Sequence, residues 1–284
     1  MGQWVFHVRH NAKPATVKEV LLILDGHDGI SIDEVLVIGR EHGYTIGTKA
    51  KSTQSVKENP VQSARDLGLV EPDRYALTNL GHEVVRLLQF KPKTVNEILH
   101  FLHYSTWTPD YPERLCFSWS YATACDILWE SNPAQIDRNQ LATQLADVAR
   151  RQFGVSSISL SKDSVQGILN WLNELDPPVL NREKVDKVRW TTILNRRNFC
   201  PPETFVLAVD HFYRRHQVNY QTNLLLSSDK QDAICKVCLL EPTRFDGILD
   251  WACGQFDFLS QGTSGGWGRY LVLARPPILA DFMG

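Results

Sequence analysis

The chain has 284 residues, of which 43% are hydrophobic and 22% charged. That is too long for one small helical module, and the proportions are those of a folded globular protein. A formal net charge of −2 excludes a bulk polyanion binder of the histone kind, so any nucleic-acid surface has to be local. Residues 1–10 hold no charged segment followed by a long apolar run, and no stretch approaches bilayer length. Neither a signal peptide nor a membrane partner is expected, and the expected compartment is cytoplasmic. Six cysteines at uneven spacing read as free, mostly buried thiols of a reducing compartment.

From Thr16, the text TVKEVLLILDG places Val17, Val20, Leu21 and Leu24 at helical spacing, and Gly26 and Gly29 break the pattern. Ser31 then precedes Asp33 and Glu34, an N-cap with acids in the first turn, and this second helix runs to Gly43. A polar third helix follows. After it come the turn Leu67-Gly68-Leu69-Val70, a short strand pair around Arg74-Tyr75-Ala76-Leu77-Thr78, and a closing helix at 83–88. This order predicts a winged helix-turn-helix, with Pro60 expected to kink or divide the third helix after about Asn59.

Residues 94–176 are aromatic-rich and helical, with Ile98, Leu99, Leu102, Trp107, Phe117, Trp119, Tyr121, Leu128 and Trp129 as core candidates. Two amphipathic helices are predicted over 139–153 and 161–175, before Asp176-Pro177-Pro178 leads into a strand. Pro201-Pro202-Glu203 starts another helix that runs to Arg214-Arg215. The segment 245–256 reads as a helix, and 257–260 and 269–273 as strands joined by the glycine-rich GTSGGWG.

The fold class expected is mainly α with small β wings (α+β), built from tandem winged-helix units. Residues 1–92 would be the N-terminal winged helix-turn-helix domain. Residues 93–200 would be an aromatic-rich helical domain forming a second unit. Residues 201–284 would be a helical domain with a glycine-rich hairpin, which admits a third, degenerate winged helix.

The region 45–65 carries Lys49, Lys51, Lys57 and Arg65 against Glu58 alone, interleaved with Ser52, Gln54, Ser55, Asn59, Gln62 and Ser63. Such residues contact phosphates and base edges in a major groove, so this segment is the candidate recognition helix for double-stranded DNA, with Arg74 on its wing. A solvated basic face, or a winged unit that binds only protein, accounts for the same composition. A second basic stretch, 182–197, holds Arg182, Lys184, Lys187, Arg189, Arg196 and Arg197 against Glu183 and Asp186. It reads equally as a phosphate-facing wing and as an ordinary charged hairpin with one aromatic, Trp190.

Cys235 and Cys238 form a lone C-x-x-C, with Cys200 and Cys253 distant. Zinc usually needs two close pairs, so two buried thiols on one helix are expected, and no metal or cofactor. Pro72-Asp73 and Pro109-Asp110 resemble the opening of a restriction-type nuclease motif, but no Glu-x-Lys follows either. GTSGGWG lacks the lysine of a P-loop and precedes a strand. No enzyme activity and no small-molecule substrate are expected.

Ile38-Gly39, the approach 49–55, the turn 67–70, Leu99-His100-Phe101-Leu102-His103 and Phe117-Ser118-Trp119 all fall in the N-terminal part of the chain, ending near Glu130. On these the chain resembles an uncharacterised bacterial winged-helix family, a domain of unknown function encoded beside DNA phosphorothioation and other anti-phage defence clusters. The resemblance implies a DNA-linked role in an antiviral defence or DNA-modification complex with other protein subunits. The alternative is a structural protein-protein interaction subunit without direct DNA contact.

Overall fold

The structure is a computed structural model that describes residues 4–48, 54–184, 190–266 and 268–284. In chain order the helices and strands are α1 (Pro14–Asp25), α2 (Ile32–Glu41), α3 (Thr45–Thr48), α4 (Gln54–Asp66), α5 (Asn79–Phe90), α6 (Pro92–Ser105) and α7 (Cys116–Glu130). These are followed by β1 (Ala134–Gln135), α8 (Arg138–Phe153), α9 (Lys162–Leu172), β2 (Leu180–Lys184) and β3 (Trp190–Leu194). The remainder comprises α10 (Pro202–Arg215), β4 (Leu224–Leu225), α11 (Ser228–Cys238), α12 (Phe245–Gln255), β5 (Leu259–Ser264) and β6 (Gly268–Leu273). The fold is therefore α+β, with helices and two small antiparallel sheets. No helix among the described residues is long and apolar enough to cross a membrane.

Local chemistry accounts for the first elements. Ser31 caps α2 by accepting from the Glu34 N–H, and the Glu34 carboxylate accepts from the Ser31 N–H at 2.7 Å, a reciprocal capping box. Gly43 then takes a left-handed φ of 70° just past the helix end. The helix α4 is followed by Gly68 at φ 73°, and Val70 pairs with Leu77 through an isolated antiparallel bridge. Gly81 has no room for a side chain, since a Cβ there would lie 2.1 Å from the Leu69 carbonyl oxygen.

The expectation that Pro60 divides the third helix is corrected: α4 runs unbroken from Gln54 to Asp66 with Pro60 inside it. Proline removes one bond to the carbonyl four residues back, here that of Val56, and the turns on either side can retain theirs.

Two stretches repeat one element order. The first runs α7, β1, α8, α9, β2, β3 and the second α10, β4, α11, α12, β5, β6. Each is helix, strand, helix, helix, strand, strand. In both sheets the third strand lies between the other two, in the orders β1-β3-β2 and β4-β6-β5, with every pair antiparallel.

Contacts group the chain into two compact units, 1–121 with 137–174, and 122–136 with 175–284. In the first unit Phe6, Cys116, Trp119 and Ala149 form a buried cluster, and Phe6 meets the edge of Trp119 at 5.6 Å. In the second, the buried Trp129 donates its indole N–H to the Leu240 carbonyl at 2.9 Å, and Phe205 packs edge-on to Phe245 at 5.3 Å.

Candidate nucleic-acid interface

The third helix of each helical group is the element a groove-reading protein would insert, so its outward face decides what it can touch. The three differ.

Of the residues singled out on and before α4, Lys49, Lys51 and Ser52 lie outside the described residues, as do Lys187 and Arg189 of the second basic stretch. Gln54, Ser55 and Lys57 fall on the first turns of α4, and Asn59 on the same helix is half-buried. Beyond Pro60 the helix is engaged with its own unit. Gln62 donates to the Asp66 carboxylate at 2.9 Å, and Asp66 is also ion-paired with Arg9. Arg65 donates to the Glu71 carbonyl at 3.2 Å and stacks over Tyr75 at 4.5 Å, and Ser63 is buried. Arg74 stands exposed in the turn between Val70 and Leu77, 4.0 Å from the Asp28 carboxylate.

The helix α9 is covered by the segment before α1. His7 Nδ1 is 2.6 Å from the Ser164 hydroxyl, and the Asn170 amide donates to the His10 carbonyl at 2.8 Å. A Cβ on Gly167 would lie 2.4 Å from the Val8 carbonyl oxygen, so the two backbones are in direct contact. With Val165, Ile168, Leu169, Trp171 and Leu172 also buried, α9 exposes only its first turn, Lys162 and Asp163, with Gln166 and Asn170 half-buried.

The outward residues of α12 are Asp246, Gly247, Asp250, Trp251, Gly254 and Gln255. Asp246 pairs with Arg269, and Asp250 accepts from Gln261. Carboxylates in this position repel a phosphate backbone. Trp251 is 49% exposed and packs against Phe199 with ring centroids 5.1 Å apart.

The second basic stretch does not stay together. Arg182 and Lys184 are exposed on β2. Arg196 instead lies over the Trp129 ring at 3.8 Å, donates to the Trp129 carbonyl at 2.9 Å and faces Glu241 at 3.7 Å. Arg197 is only 3% exposed and donates to the Cys238 carbonyl at 2.6 Å. A guanidinium held in this way is committed to its own chain, so Arg196 and Arg197 are corrected from phosphate contacts to structural cations.

The hairpin β2–β3 carries a basic face whose register is described. Arg182 pairs with Thr192 and Lys184 with Trp190, so side-chain alternation puts these four on one face, with Glu183 on the other. The same parity at the base of the hairpin gives Leu180, Leu194 and Ala134, of which Leu194 is fully buried. One face thus changes from core to cation and aromatic toward the tip.

Cys235 and Cys238 lie on α11 and, like Cys200, are buried. Burial, followed by the neighbouring Cys200, pushes the Cys238 thiol well above its ordinary range. Among the described residues, no three His, Cys, Asp or Glu side chains are grouped to hold a metal ion.

A buried aromatic-histidine cluster stands apart from these surfaces. His103 stacks on Tyr121 at 4.2 Å and meets Trp171 edge-on at 4.5 Å, while His100 Nδ1 is 2.7 Å from the Tyr121 hydroxyl. Neither ring nitrogen of His103 has a hydrogen-bond partner among the described residues, and the ring lines a cavity of about 10 Å³ with Arg9, Ser63 and Phe117. Such a space accommodates about one water molecule. Burial, then the charges of His100 and Arg9, holds the imidazole neutral, with its pKa lowered to about 3.

Comparison with family models, curated proteins and solved structures finds no match to this chain.

Proposed function

We propose that the chain is a non-enzymatic, tandem winged-helix protein that binds double-stranded DNA through its wings and α4, as one subunit of a prokaryotic defence or DNA-modification complex. The observation that carries the winged-helix reading is the twice-repeated order helix, strand, helix, helix, strand, strand, with the third strand central in each sheet. Third helices that are covered, as α9 is, or acidic, as α12 is, shift the DNA contact toward hairpins. The resemblance of the N-terminal part of the chain to the defence-linked family is the ground for the cellular setting.

The test is a titration of labelled duplex against salt. With about 4 phosphate contacts, the slope of log affinity against log salt would be near −3.6, because each neutralised phosphate releases counterions. A flat slope, or no binding at low salt, would sink the DNA reading.

A second reading, an adaptor that binds protein, is favoured by one feature: the exposed Trp251 beside Phe199 on an acidic helix face. Unchanged DNA binding by Trp251→Ala, together with loss of a co-purifying subunit, would assign α12 to a protein partner.

A further inference from the structure

We infer that the outer face of the β2–β3 hairpin is a stacking site for an unpaired base of single-stranded nucleic acid, with Trp190 as the platform and Arg182 and Lys184 as the phosphate contacts. This rests on the nucleic-acid reading above and names a narrower ligand for one of its surfaces.

The argument starts from register. Lys184 is directly opposite Trp190, and Arg182 lies two residues back on the same strand, so both cations flank the indole on one face. Opposed Cβ atoms in a ladder are about 5 Å apart, and neighbours two residues along a strand are about 7 Å apart, close to the spacing between successive phosphates of a strand. The only carboxylate within the described part of β2, that of Glu183, alternates to the other face. Among the described residues of the hairpin, the Trp190 face therefore carries only positive charge, although the whole chain is slightly acidic.

Exposure supplies the second step. Trp190 is 61% exposed, the most exposed tryptophan among the described residues. A strand position that only had to stabilise the ladder would be served by threonine, which occupies the next two positions, Thr191 and Thr192. An indole in water flanked by an arginine and a lysine combines the two parts of a single-strand site: a π-face that takes any base and cations that track the backbone. The bases of a duplex are already stacked on one another, so a duplex can use the cations but not the platform. An acidic peptide would also meet the cations, but it carries no planar base for the indole.

The experiment uses the full chain and fluorescence anisotropy with four labelled probes of equal length at matched salt. These are a thymine strand, an adenine strand, a strand of abasic sugar-phosphate units, and a duplex. Trp190→Ala should weaken binding of the two base-bearing strands about tenfold, in line with the loss of one stacked base. Trp190→Phe should restore most of that loss. The abasic strand should bind wild type no better than the base-bearing strands bind Trp190→Ala, and duplex affinity should not respond to Trp190→Ala. Arg182→Ala with Lys184→Ala should flatten the single-strand salt slope by about 1.4, two contacts at about 0.7 each. Equal binding of abasic and base-bearing strands, or indifference to Trp190→Ala, would overturn the stacking site while leaving duplex binding intact. Absence of binding to all four probes would overturn both this inference and the DNA reading. Binding of the single strands that responds to Trp190 but not to the cations would also overturn the site as drawn.

Discussion

Acidification should destabilise the first unit through His103. Its imidazole is neutral in the folded protein, with a pKa lowered to about 3 by burial, whereas in the unfolded chain it returns to the ordinary value of 6.5. Between those values the unfolded state carries a proton that the folded state does not, so stability is fully present above about pH 6.5 and falls as the pH drops toward 3. From about pH 7.5 to about pH 4.5 this one group should remove about 3 kcal/mol, roughly two pH units at a little over 1 kcal/mol each. His103→Phe keeps a ring against Tyr121 and Trp171 and lacks both orphaned nitrogens. The assay is urea unfolding of both proteins at several pH values in that range. The variant should lose about one proton's worth of pH dependence, so its curve is flatter than that of wild type by the stated amount. Parallel curves would refute the reasoning and mean that His103 is protonated, or paired, in the folded state.

Gly167→Ala should destabilise by about 1–3 kcal/mol, because the added methyl meets the Val8 backbone, which cannot rotate away. Gly254→Ala on α12, where the space is open, should instead stabilise by about 0.5–1 kcal/mol; thermal melts of the two variants check the contrast. Arg197→Met should cost about 1–3 kcal/mol by leaving the Cys238 carbonyl without its donor, and melts showing no loss would return Arg197 to the surface cations. A thiol reagent on native protein should modify the half-buried Cys253 before Cys200, Cys235 or Cys238, and rapid labelling of the C-x-x-C pair would contradict their burial.

What was legible in the sequence was whatever is fixed within a few residues. Ser31 with Glu34 is a reciprocal cap, and Gly43 and Gly68 take left-handed conformations at helix ends, so the start and stop of α2 and the end of α4 could be read directly. The strands β1 and β4 could not, because so short a segment has no periodicity. They become strands only by pairing with β3 and β6, which lie far along the chain. Charge counting over 182–197 found a basic stretch but carries no direction. It could not separate Arg182 and Lys184, which face outward, from Arg196 and Arg197, which the packing of Trp129 and the Cys238 carbonyl draw inward. The cover over α9 left one trace, Gly167 in the middle of a helical pattern, which is where a close backbone neighbour needs a glycine. Trp190 was visible as a lone aromatic. Its grouping with Lys184 needed the register of the hairpin.

The interleaving of the two units has a consequence for synthesis. The chain crosses between them after Tyr121, after Ile136 and after Glu174, so the second stretch of the first unit is enclosed in sequence by the second unit. The first of these crossings falls inside the continuous helix α7. As the polypeptide leaves the ribosome, residues 122–136 emerge before the first unit has its closing stretch, 137–174, and must wait for the chain beyond Glu174 before their own sheet partners exist. Folding during translation therefore cannot proceed as one finished domain followed by another. A chaperone or nascent-chain protease would meet the unpaired strand at 134–135 until synthesis has passed Leu194, a window set by topology that no point substitution shortens.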